Sequence, residues 1–153
     1  MAHPIADRIA WLGHDGFRID GSLTVYMDPY QIPPGPQADL VLITHEHFDH
    51  CSPEDVSLIQ GPHTVVVTEP LSAQKLSGDV RTVRPGDRVE VGKASVLAVP
   101  SYNTDKAFHP KSNHWLGFVL EMDGARIYHA GDADFIPEMA DLDVDIALLP
   151  VSG

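Results

Sequence analysis

The stretch Thr44-His45-Glu46-His47-Phe48-Asp49-His50 constrains this chain more than any other. It sets three histidines and two carboxylates within six residues, directly after the apolar run Leu40-Val41-Leu42-Ile43. A short apolar run of this kind reads as a buried strand. The strand ends where the polar residues begin, so a rigid element delivers a dense set of polar side chains to the rim of a sheet. Imidazole nitrogen and carboxylate oxygen are the ligand types that suit zinc, iron and manganese. The spacing is His-x-His-x-Asp-His, which a merely solvated acidic loop has no reason to adopt.

The chain of 153 residues is long enough for a core of its own and is read as a single domain over residues 1–153. Its 22 acidic side chains outnumber 10 basic ones, giving a formal charge of −12, so its surface repels nucleic acid. One cysteine, Cys51, excludes an internal disulfide framework and fits a reducing, cytoplasmic setting. Cys51 follows the ligand cluster directly and reads as a small buried filler. No secretory signal opens the chain. No apolar run approaches the roughly 20 residues that span a bilayer.

In chain order, Ile9–Leu12, Phe17–Asp20 and Leu23–Met27 read as three short strands, the first two joined by Gly13-His14-Asp15-Gly16. His14 gains a role only if this turn faces the ligand loop. The proline-rich Gln31–Gln37 is a loop, and strand Leu40–Ile43 follows. Ser52-Pro53-Glu54-Asp55 starts a helix: Ser52 caps it, Pro53 suits its first position, and the acids favour the positive end of its dipole. Val56, Ile59 and Leu58 supply its buried face, and Gly61-Pro62 ends it. Strands Thr64–Val67, Val80–Val83, Arg88–Val91 and Ala94–Val99 follow, with a short helix around Leu71–Leu76. His63 lies on no motif and reads as surface.

Residues 100–114 form a long polar loop that carries His109, His114, Lys106 and Lys111, and loops of this length tend to be functional. Strands Trp115–Glu121 and Arg126–Ala130 flank the hairpin signal Asp123-Gly124. The second of them runs into Gly131-Asp132, which puts another carboxylate at a strand end. A helical turn at Phe135–Met139 and a strand at Ile146–Leu149 complete the pattern. The expected architecture is a run of antiparallel strands, with helices entering between the later ones.

Taken together, Trp11-Leu12-Gly13-His14, Asp28-Pro29, the cluster His45–His50 and Tyr128-His129-Ala130-Gly131-Asp132 resemble the metallo-β-lactamase-fold hydrolases. The likeness is closest to the branch of L-ascorbate-6-phosphate lactonase and N-acyl-phosphatidylethanolamine phospholipase D. It implies an α/β (α+β) fold, the αββα sandwich, with the metal site at one edge between two sheets. It further implies that His45 and His47 bind a first metal, Asp49 and His50 a second, and that Asp132 bridges them. A further histidine is expected a few residues after a Pro-x-x motif. Here Pro100-Ser101-Tyr102 leads to Asn103, and His109 or His114 of the same loop are the substitutes, His109 favoured. The family pattern continues beyond the strand at Asp145–Leu149 with a helix, a strand and a last metal-binding histidine, which residues 1–153 do not include, so the expected sandwich is incomplete at its C-terminus.

The chemistry of the residues agrees with the resemblance. A divalent metal lowers the pKa of bound water to about 7, which supplies hydroxide for hydrolysis of an ester, lactone, amide or phosphodiester. Asp49 and Asp132 add negative charge, and one of them accepts the proton of the attacking water. Glu46, His14 and His129 are candidates to orient the imidazoles, His129 being equally readable as a packed strand residue. Lys106 and Lys111 suit a small, anionic substrate or only solvent, and Asn103 sits beside them. One or two zinc ions are the expected cofactor, with manganese and iron as alternatives. The competing readings are a non-catalytic or vestigial metal-binding domain acting in assembly, for which a homo-oligomer is one form, and a di-iron redox protein.

Overall fold

The central strands carry apolar residues on both faces, and these two faces explain the layering. In the computed structural model, which describes residues 4–101, 115–132 and 142–149, a 3-10 turn at Pro4–Arg8 leads into β1 (Ile9–Gly13), β2 (Gly16–Asp20), β3 (Thr24–Met27) and β4 (Ala38–Leu42). α1 (Pro53–Ile59), β5 (Gln60–Thr68), α2 (Pro70–Ala73) and β6 (Asp79–Thr82) follow, and β1 to β6 make one sheet in chain order. β7 (Arg88–Val91), β8 (Ala94–Pro100), β9 (Leu116–Met122), β10 (Ala125–His129) and β11 (Ile146–Leu148) form a second sheet, ordered β11-β10-β9-β8-β7.

Every second residue points into the space between the sheets. Val25 and Met27 of β3, Leu40 and Leu42 of β4, and Val65 and Val67 of β5 meet Leu116, Phe118 and Leu120 of β9 and Ile127 of β10 in one core. The intervening residues face outward. Val41, Ile43 and Val66 receive Val56 and Ile59 of α1, so the helix lies on the outer face of the first sheet. Val119 and Tyr128 face outward on the second sheet, where Leu142 and Val144 pack against them. These facing sheets, with a helix outside, are the α/β sandwich that the resemblance implies.

Ser52 caps α1 as expected, its Oγ accepting from Asp55 N at 3.3 Å, with Pro53 in the first turn. Cys51 is buried as a filler, and His63 is exposed. Leu58 is not part of the buried face: it is 68% exposed, because the helix turns it away from Val56 and Ile59. Gly61-Pro62 already belongs to β5, and α2 is shorter than the Leu71–Leu76 pattern suggests. The expected antiparallel run also needs correction. β3–β4, β4–β5, β5–β6 and β10–β11 pair in parallel, and both described helices lie between β4 and β6. Parallel neighbours require a crossover. The proline-rich loop after Asp28 provides the one between β3 and β4, α1 the one between β4 and β5, and α2 the one between β5 and β6. The helical turn expected at Phe135–Met139 lies outside the described residues.

Candidate metal centre

The site begins where β3 and β4 end side by side. Asp28 N donates to Leu42 O at 2.9 Å, and Asp28 has a left-handed backbone (φ 44°), a region that aspartate tolerates better than most residues. This aims its carboxylate under the ligand loop, where it is fully buried. Oδ1 accepts from Thr44 N at 2.8 Å, and Oδ2 accepts from Thr44 Oγ1 at 2.7 Å and His50 Nδ1 at 2.8 Å. The Thr44 hydroxyl has a single proton and gives it to Asp28. It therefore accepts from His45 Nδ1, 2.9 Å away. Both imidazoles are thus held through Nδ1, which leaves each Nε2 for the site. Turn hydrogen bonds from His50 N and Cys51 N to His47 O, at 2.9 and 2.8 Å, fold the loop back so that His50 lies beside His45. Their ring centroids are 4.1 Å apart.

The second sheet brings the missing carboxylate. β10 ends at His129, and Gly131 turns the chain with φ 62°. A Cβ there would lie 3.2 Å from Thr44 side-chain atoms and from Leu116 O, so glycine permits the close approach of the two sheets. Leu116 N donates to Thr44 O at 3.0 Å across the same junction. Asp132 follows, with Oδ2 3.0 Å from His50 Nε2 and 3.5 Å from His45 Nε2. The ligand atoms of His45, His50 and Asp132 all lie within 4.8 Å of one another, as do those of His14, Asp49 and His50, and of Asp15, Asp28 and His50.

The electrostatics are those of a site that favours a cation. Burial opposes charge on His50, but the Asp132 and Asp28 carboxylates outweigh it and push the imidazole up to about 11. Burial lowers His45, and the neighbouring His50 charge acts in the same direction against Asp132. Burial raises Asp15 to about 6. Burial also works to raise Asp28, yet the His50 hydrogen bond and charge hold it below the usual carboxylate range. The His50 Nε2 atom is buried and makes no aligned hydrogen bond, although Asp132 Oδ2 is near it. Two Nε2 atoms freed by Nδ1 contacts, that of His50 buried and unaligned, and a facing carboxylate fit a divalent cation.

The other expected residues take varied places. His14 does face the ligand loop: its Nε2 is 2.8 Å from Asp49 Oδ2, and Asp49 Oδ1 is 3.8 Å from His50 Nε2. His47 packs edge-on to His45, with centroids 4.8 Å apart, and to Trp115 at 4.9 Å, but falls in none of the three close ligand groups. His129 donates from Nε2 to Asp15 O at 2.9 Å and accepts at Nδ1 from Gly131 N at 3.2 Å. Both its nitrogens are thereby used, so it braces the first turn against the end of β10. Glu46 does not orient an imidazole; it pairs with Lys75 at 3.6 Å on the surface side of the loop. Asn103, Lys106, His109, Lys111 and His114 lie outside the described residues. Sequence reasoning missed the part played by Asp28, Thr44 and Asp15. An aspartate at a strand end before a proline was the only signal for Asp28.

Two facing sheets with histidines and aspartates gathered at one edge define a metallo-β-lactamase-like metal site. The family model described as the β-lactamase superfamily domain matches residues 8–153. A UPF0173 metal-dependent hydrolase of Methanoregula boonei is 34% identical over 158 residues, spanning 95% of this chain and 69% of that protein. A second, from Thermoplasma acidophilum, is 35% identical over 167 residues, spanning 95% and 71%. The crystal structure of a Parabacteroides distasonis protein described as a metal-dependent hydrolase superposes with a TM-score of 0.83 at 33% identity, covering 91% of this chain and 67% of that one. The chain belongs to the UPF0173 metal-dependent hydrolases of the β-lactamase superfamily. No helix among the described residues is long and apolar enough to cross a membrane.

Proposed function

We propose that this hydrolase cleaves an ester, lactone, amide or phosphodiester bond, with His45, His50 and Asp132 as the central ligands of a divalent ion, zinc first. One observation carries the reading: ligand atoms from two sheets, His45 and His50 after β4 and Asp132 after β10, lie within 4.8 Å of one another. A divalent ion held there supplies a Lewis acid that makes hydroxide available at neutral pH and polarises the scissile group. If a second ion binds, Asp132 would be shared between the two, as the resemblance implies, with Asp49 and His47 as further ligands. Asp49 Oδ1 faces the site while Oδ2 is engaged by His14, which suits Asp49 to take the proton of the attacking water. Asp28 and Thr44 orient the histidines. Lys106 and Lys111, and His109 as a further ligand, are proposed on their sequence positions alone. The likeness to the lactonase and phospholipase D branch makes lactones and phosphodiesters the first substrates to try.

The test is elemental analysis of purified protein together with turnover of a lactone and a phosphodiester panel. Bound zinc, and a loss of about 100-fold in activity or metal affinity in Asp132→Asn, are expected. Metal without turnover of any panel member would favour a non-catalytic metal-binding domain. Equal metal content and turnover in Asp132→Asn would refute the ligand assignment.

A further inference from the structure

The turn between β1 and β2 holds a histidine in a backbone conformation that few residues adopt. Gly13 and His14 both lie in the left-handed region, with φ 97° and 53°. Glycine enters this region freely, whereas a residue with a Cβ does so at a cost. Both sides of the turn are anchored. Trp11 Nε1 donates to His14 O at 2.9 Å, and His129 Nε2 donates to Asp15 O at 2.9 Å. The imidazole of His14 lies edge-on to the rings of Tyr30 and His50, with centroids 5.8 and 5.6 Å away. Backbone and ring, so held, bring His14 Nε2 to 2.8 Å from Asp49 Oδ2 in the ligand loop.

The chemistry of that contact decides what His14 does. Its ring nitrogen falls in a close group with Asp49 and His50, which by distance alone is a set of ligands. An ionised carboxylate only accepts, so the proton of the 2.8 Å contact sits on His14 Nε2. A nitrogen that carries a proton has no lone pair for a cation. His14 therefore acts on the site through Asp49. With Oδ2 held, Asp49 keeps Oδ1 on the side of His50, 3.8 Å from its Nε2. Without this contact a loop aspartate is free to turn about its side-chain bonds, and that freedom is lost when it binds an ion. Partners that hold a ligand in this way commonly contribute about 10- to 100-fold to metal affinity.

We propose that His14 is a positioning residue that donates from Nε2 to Asp49 and so presents Asp49 Oδ1 to the ion beside His50. The inference rests on the metal-centre reading above, and the test separates the two. Zinc affinity is measured by competition with a chromogenic chelator in the parent protein, His14→Ala, His14→Gln, Asp49→Ala and the double variant with alanine at both positions. His14→Ala should bind zinc about tenfold more weakly, and His14→Gln, whose amide N–H can replace the ring donor, should recover most of that loss. Asp49→Ala keeps His45, His50 and Asp132, and in that background His14→Ala should cost nothing further. Equal affinity in the parent and His14→Ala, a loss that His14→Gln does not recover, or the same loss in the Asp49→Ala background would each overturn the assignment while leaving the metal centre standing. Failure of the parent protein to bind zinc would sink the metal centre, and this role of His14 with it.

Discussion

Asp28 Oδ2 lies 2.8 Å from His50 Nδ1, and neither side chain has any solvent-exposed surface. The same carboxylate binds Thr44 twice, through its amide and its hydroxyl. One buried aspartate from the end of β3 thus sets the ring nitrogens of both His45 and His50. Replacing Asp28 by asparagine keeps its size and its tolerance of the left-handed backbone but removes the charge. Zinc affinity should fall about 10- to 100-fold, as measured by competition with a chromogenic chelator. Unchanged affinity would mean that His50 does not ligate through Nε2.

Gly131 governs how closely the second sheet approaches the first. Gly131→Ala adds a Cβ 3.2 Å from Thr44 and Leu116 O at a backbone with φ 62°. The expected cost is about 1–2 kcal/mol, read as a fall of roughly 3–6 °C in the midpoint of thermal unfolding. Because Asp132 is the next residue, zinc affinity should fall as well. A stable variant with native affinity would show that the junction tolerates a wider gap.

Asp15 makes stability of the metal-free protein depend on pH. Burial raises its carboxyl to about 6, and Oδ2 has no hydrogen-bond partner among the described residues. The folded state therefore holds a proton that the unfolded state releases near pH 4. Asp15 costs nothing below that point, and its cost grows as pH rises to about 6 and is then constant. Asp15→Asn should leave urea stability unchanged near pH 3.5 and raise it by up to about 3 kcal/mol at pH 7.5 in the presence of a chelator. A stabilisation equal at both pH values would assign the effect to something other than ionisation.

Much of this protein can be read from local sequence, because strand alternation, helix capping and ligand spacing are short-range. Val25, Leu40 and Phe118 face the core because their neighbours in sequence are polar or face the opposite layer, and a period of two needs no knowledge of the partner strand. Ser52-Pro53 starts α1 for equally local reasons. The spacing of His45, His47, Asp49 and His50 pointed to a metal-binding loop, and His45, Asp49 and His50 of it fall in the close ligand groups. Strand direction was not legible. Whether β4 lies parallel or antiparallel to β3 depends on how the loop after Asp28 crosses, and the residues of β4 read the same either way.

The sequence by itself determined which side chains can bind a cation and that they stand at strand ends. Only the tertiary structure decided which of them meet. Asp28 and His50 are 22 residues apart, and His129 and Asp15 are 114 apart, so their pairing depends on which strands lie side by side and on the closeness that Gly131 allows. The same packing sent Glu46 out to Lys75 and gave the imidazoles to Asp28 and Thr44. A buried carboxylate must find donors wherever the fold supplies them, and no local pattern specifies those donors.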